Sequence, residues 1–177
     1  PGSDGYADAV AGNGSDAFRT TDVAAATALL AEAGVAAPEV CIIFDPADER
    51  RVAAVELIRE SAARAGFNVT DCSRADWRGL LGVAGAYDAA LFAWDTTRLS
   101  AGASAAVFRT DAMLANFTGF ADARADQIVD EIGATDDEGR IAQLLTELDG
   151  ILWASGYGTP LFAHPTTTVV SDGVAGV

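Results

Sequence analysis

Lysine is absent from this 177-residue sequence, and all eleven basic side chains are arginine. Set against 26 acidic residues they leave a formal net charge of −15, which repels phosphate backbones and anionic lipid headgroups. No nucleic acid or membrane surface is expected as a partner. There is one histidine, His164, so any nucleophile needing an imidazole base would have to use it. It lies between Ala163 and Pro165 in a predicted strand, without a G-x-S-x-G elbow, and reads as structural. Two cysteines, Cys41 and Cys72, supply neither a disulfide scaffold nor a four-ligand zinc site. One stands early in a predicted parallel strand and the other ends the next, roughly 10 Å away at the usual strand rise, which predicts two free thiols. No apolar run approaches the ~18–20 residues of a membrane span, and Pro1 is not followed by a charged region, apolar core and cleavage site.

What is present is a chain that is 50% hydrophobic, enough for the core of one domain. Residues 1–20 are rich in Gly, Asp, Ser and Asn and read as an irregular lead-in. An Ala-rich helix follows from Thr21 and stops at Gly34. Val40 to Phe44 is a continuous apolar run, as in a parallel strand covered on both faces. Asp45 and Pro46 suit a helix start, and Val52, Val55, Ile58 and Ala62 form its inward stripe up to Gly66. Phe67 to Cys72 reads as the second strand. Ser73 then caps a short helix to about Val83, and Tyr87 to Trp94 reads as the third strand. A helical piece near residues 103–114 precedes two amphipathic helices. The first carries Ala125, Ile128, Val129 and Ile132 on one face; the second starts on a Thr135/Glu138 capping box and buries Leu144, Leu145 and Leu148. Leu161 to Val170 closes the chain as a strand interrupted by Pro165. The fold class is α/β: three layers, a mostly parallel sheet with helices on both faces.

The chemistry-bearing motifs are few. Gly156-Tyr157-Gly158 follows a helix and precedes a strand, the reverse of a dinucleotide site. The acidic runs at residues 45–49 and 136–138 suit helix starts better than metal sites, so no metal or other cofactor is expected. Asn13, Asn68 and Asn116 each fall in an N-x-S/T triplet, which Ser/Thr abundance explains. In open parallel sheets ligands bind beyond the carboxyl ends of the strands, which here means Asp45, Cys72 to Trp77 and Trp94 to Thr97. Trp77 and Trp94 are each as well suited to a core as to a cleft.

The order of segments carries a resemblance. Residues 26–34 (ATALLAEAG), the helix ending in Ala65-Gly66-Phe67-Asn68-Val69, then Ala75-Asp76-Trp77, Gly85 to Trp94 and Asn116 to Phe120 follow one another at characteristic spacing. Asp126, Ile151-Leu152 and Thr159 to Phe162 continue it. Together they resemble the extracytoplasmic solute-binding proteins of ABC importers, in the peptide, oligopeptide and nickel group. The resemblance implies a periplasmic-binding-protein type II lobe, the C-terminal one, over residues 21–177, with residues 1–20 as the inter-lobe segment and the N-terminal lobe absent. It implies a protein that is not an enzyme, located outside the cytoplasmic membrane, with a small peptide or similar solute, the missing lobe and ABC permease subunits as partners.

In relatives the tryptophan after the third strand and the acid behind it face the cleft, which points to Trp94 and Asp95, with Thr96 and Asn116 beside them and Trp77 lining a pocket. Ala93-Trp94-Asp95 lacks the relatives' usual spacer between Trp and the acid, and Leu91 stands where some oligopeptide binders carry an arginine. A sugar, opine or metal-chelate solute therefore stays open beside a peptide. The alternatives are a stand-alone α/β enzyme or receiver-like domain using Asp45, and an adaptor docking through the sheet end.

Overall fold

The structure is a computed structural model that describes residues 6–94, 101–112 and 115–163. Three parallel strands, β1 (Glu39–Phe44), β2 (Asn68–Asp71) and β3 (Ala89–Leu91), form a sheet in the order β2-β1-β3. The middle place suits β1 because its apolar run can be covered on both sides. Ile42 and Phe44 point to one face and Ile43 to the other, and none is more than 5% exposed. Helix α3 (Glu49–Ala63) connects β1 to β2 and packs Val55 and Ala62 into a cluster with Ile42, Phe44 and Val69. Its buried stripe begins at Val55, since Val52 is 39% exposed. The α/β class read from the sequence is the observed one.

A second cluster lies among α4 (Ala101–Ala105), α5 (Ala123–Gly133) and α6 (Glu138–Ser155). The i, i+3, i+4, i+7 stripe of Ala125, Ile128, Val129 and Ile132 is buried as the sequence predicts. Leu144 and Leu148 of α6 meet it, while Leu145 is left at the surface. Gly156 ends α6 in the left-handed conformation, φ 67°.

Several boundaries differ from the sequence reading for identifiable reasons. Helix α3 starts on Asp48, whose carboxylate accepts from the Arg50 amide at 3.0 Å. Asp45 and Pro46 instead make a turn, in which Asp45 accepts from the Ala47 amide at 3.0 Å. Asp137 rather than Thr135 caps α6, accepting from the Arg140 amide at 2.9 Å. Asp22 and Asp122 do the same for α2 (Val23–Glu32) and α5. Ser73 caps no helix. Its hydroxyl accepts from the Phe44 amide at 3.0 Å, fastening the end of β2 to β1, and only a 3₁₀ turn, Trp77–Leu80, follows. Leu161 to Ala163 form no strand, and the rest of that predicted strand, with His164 and Pro165, lies outside the described residues.

The prediction of two free thiols is overturned. Cys41 pairs in register with Thr70, so Cys72 is only two positions further along β2 and projects from the same sheet face. The two Cα atoms are 5.6 Å apart and the sulfurs are joined in a disulfide. The estimate of roughly 10 Å assumed too large a stagger between the strands.

The lead-in is also more ordered than its composition suggests. It contains α1 (Tyr6–Val10) and a 3₁₀ turn, Ser15–Phe18. Asn13 is 2% exposed; its side-chain amide donates to Asp149 of α6 and its carbonyl accepts from the Ser15 amide at 2.9 Å. Phe18 stacks on Trp153 with ring centroids 5.3 Å apart. One polar pair and one ring pair dock the segment on α6, and neither leaves a periodic signature in sequence.

Candidate functional site

At the carboxyl end of the sheet, β3 stops at Leu91 and the chain leaves it as Phe92-Ala93-Trp94. Trp94 is 43% exposed. Its ring lies parallel to Phe117, with an interplanar angle of 4° and centroids 5.9 Å apart. Phe92 meets both edge-on, at 5.2 Å from Trp94 and 5.8 Å from Phe117. Such offset and edge-to-face contacts are the geometry aromatic quadrupoles favour, worth about 0.5–1.5 kcal/mol per pair beyond area burial. Gly82 lies beside Phe117, where a Cβ would come within 3.9 Å of the ring. The result is a three-ring aromatic platform on which, among the described residues, nothing stacks against the Trp94 face turned away from Phe117.

Asn116, singled out in sequence as a solute contact, spends its hydrogen-bonding capacity within its own loop. Its Nδ2 donates to the carbonyls of Phe120 at 2.6 Å, Thr110 at 3.1 Å and Arg109 at 3.3 Å. Its Oδ1 accepts from the Phe120 amide at 3.0 Å and the Thr118 hydroxyl at 3.4 Å. Trp77 is placed in the core, 3% exposed, with the Arg78 guanidinium 4.8 Å and the Arg51 guanidinium 5.5 Å from its ring centroid. Arg51 also pairs with Asp48 at 3.6 Å. Asp95 and Thr96 lie outside the described residues. The structure thus assembles Trp94 with Phe92 and Phe117, sets Asn116 behind them as a loop anchor, and keeps Trp77 apart.

Phe117 and Tyr87 are the residues that sequence reasoning passed over. Tyr87 donates its hydroxyl hydrogen to the Phe117 carbonyl at 2.9 Å and accepts from the Gly82 amide at 3.3 Å. The Phe92/Trp94 spacing, which puts both rings on one side of an extended chain, was the available signal for the platform. Nothing local marks Phe117 as their partner. Elsewhere the charged groups serve the scaffold. Arg124 bonds both Glu147 and Glu131, and Arg109 bonds Asp111 and Asp130. Those arginine hydrogen bonds hold the Glu131, Glu147 and Asp111 carboxyls below the usual carboxylate range. Burial among Phe108 and Phe120 raises the Tyr157 phenol. Among the described residues no three His, Cys, Asp or Glu side chains are grouped to hold a metal ion, and no helix is long and apolar enough to cross a membrane.

No family matches the chain by sequence model, and no curated protein matches it in sequence. Solved structures do match in three dimensions. NikA from Staphylococcus aureus, in complex with Ni(L-His)2, superposes with a TM-score of 0.64 at 20% identity over 77% of this chain. HbpA2 from Haemophilus parasuis gives 0.62 at 20% identity over 71%. A peptide-binding protein of a peptide ABC transporter gives 0.58 at 19% identity over 71%. The chain has the fold of the oligopeptide- and nickel-binding solute-binding proteins. It spans 30%, 26% and 56% of the length of those three structures. Their architecture is of the periplasmic-binding-protein type II kind.

Proposed function

We propose that this chain is the C-terminal lobe of the solute-binding component of an ABC importer, closing with an N-terminal lobe over a small peptide or similar solute. The observation that carries the reading is the Trp94 platform, open at the carboxyl end of a parallel sheet whose fold is shared with binding proteins. Trp94 would supply a flat apolar contact, and Asp95 and Thr96, which follow it directly, would supply polar ones to a charged end of the solute. Residues 1–20 would run between the lobes, and a permease would receive the loaded protein. The Cys41–Cys72 disulfide suits an oxidising compartment outside the cytoplasmic membrane. Binding, not turnover, is the role these features support.

The test is calorimetry on the whole gene product, titrated with di- to pentapeptides and with nickel–histidine. One of these should bind, and Trp94→Ala should weaken it at least roughly tenfold, about 1.4 kcal/mol. Because the solute is desolvated only between two lobes, this chain alone should bind at least roughly a hundredfold more weakly. Submicromolar binding by the chain alone, or unchanged affinity in Trp94→Ala, would overturn the proposal.

A further inference from the structure

A tryptophan that is 43% exposed has no fixed orientation unless something fixes it, and here that something is the Phe117 ring lying parallel beneath. Phe117 belongs to no helix or strand. Its place is set from two sides by polar knots. The Tyr87 hydroxyl bonds the Phe117 carbonyl across 30 positions of sequence and simultaneously takes the Gly82 amide, joining the β2–β3 connection to this loop. Immediately before Phe117, Asn116 gathers the carbonyls of Arg109, Thr110 and Phe120 and the Phe120 amide. Tyr87 and Asn116 are both partly buried, and neither makes a ring contact with Trp94 among the described residues.

The geometry points to Tyr87 and Asn116 as positioning residues for solute binding: they hold Phe117 under Trp94, so that the indole presents one fixed flat face. The group that fits this face is planar or apolar, such as an aromatic or aliphatic side chain or a heterocycle, because a pre-oriented π surface makes its contact without ordering cost. This assignment rests on the solute-binding reading above but makes a separate prediction about the unliganded protein.

The test uses the Trp94 indole N–H resonance, assigned by Trp94→Phe, in wild type, Tyr87→Phe and Phe117→Leu. Removing the Tyr87 hydroxyl should move the Trp94 resonance in the same direction as removing the Phe117 ring. The Trp77 and Trp153 resonances should stay in place, and the unfolding midpoint should fall by no more than about 4 °C. Solute affinity of the whole gene product should fall roughly threefold or more in Tyr87→Phe. Asn116→Ala should show the same signature, and Asn116→Asp, which sets a carboxylate oxygen against the carbonyls of Arg109, Thr110 and Phe120, should show it at least as strongly. A Trp94 resonance unchanged by Tyr87→Phe would overturn the positioning role even if Trp94→Ala abolishes binding. A resonance that moves in a protein that binds no solute would uphold the positioning of Phe117 and sink the functional reading instead.

Discussion

Reducing the Cys41–Cys72 disulfide should cost this protein a large part of its stability. The bond closes a loop with a sequence separation of 31 residues, comprising the whole of α3 and of β2. For a loop of that length the chain-entropy relation gives about 12 cal/mol/K, or about 3.7 kcal/mol at 25 °C, released to the unfolded chain on reduction. A domain of this kind has about 5–15 kcal/mol in total. The folded state supplies little to replace the staple, since the β1–β2 ladder has only four residue pairs, from Glu39↔Asn68 to Ile42↔Asp71. With a urea dependence of about 2 kcal/mol/M, the midpoint should drop by about 2 M.

The assay is urea unfolding followed by far-ultraviolet circular dichroism, on untreated protein, on protein reduced and alkylated, and on the Cys41→Ala/Cys72→Ala double variant. The two modified forms should coincide with each other and fall well below the untreated one. A thiol titration in denaturant without reductant should find essentially no free thiol. Superposed curves, or two thiols titrating in unreduced protein, would refute the reasoning, including the inference that the strand register brings the two sulfurs together.

Ile128→Ala should cost about 3–5 kcal/mol, because Ile128 is fully buried at the meeting of α5 with its neighbours, whereas Leu29→Ala, at a position 65% exposed, should change stability by less than about 0.5 kcal/mol; chemical denaturation of both variants checks the contrast. Glu131, Glu147 and Asp111 have folded-state values lowered by arginine hydrogen bonds, so their contribution is present above the unfolded values near pH 4 and is lost as pH falls through the lower folded values. A midpoint-versus-pH series should therefore decline on acidification below about pH 4.5, and a midpoint that rises there would contradict the assignment. At neutral pH the net charge of −15 acts against the compact state, so added sodium chloride should raise the unfolding midpoint despite weakening the surface ion pairs; a midpoint that falls steadily with salt would show that the pairs dominate.

What was legible in sequence is what repeats along one element. The apolar run of β1 and the Ala125-Ile128-Val129-Ile132 stripe of α5 each bury as read, because burial of a strand or helix face is imposed by its own periodicity. What was not legible depends on a partner distant in sequence. The disulfide needed the register of β2 against β1, which no single strand encodes. The docking of the lead-in needed Asp149 and Trp153, more than a hundred positions from Asn13 and Phe18. The helix caps were misplaced for a different reason. Acidic residues are so abundant around residues 45–49 and 135–138 that several could cap, and the turn geometry, not the residue type, selects Asp48 and Asp137.

The two tryptophans show the same limit at the candidate site. Each follows a strand, and composition could not separate them. Trp77 falls in a 3₁₀ turn that packs its ring inward beneath Arg51 and Arg78, so its large surface is already spent on the protein's own core. Trp94 follows a strand of only three residues and stands beyond the sheet, where Phe117 covers one side and nothing among the described residues stacks on the other. A binding half-site requires that second condition: an apolar face held still by its own lobe yet not filled by it, so that closing against a counterpart removes it from water. Rigidity of the backing and openness of the face are therefore one requirement of the proposed half-site, and on that proposal Tyr87 and Asn116 would serve it through the ring they hold, by the hydrogen bonds they make to the Phe117 and Phe120 carbonyls.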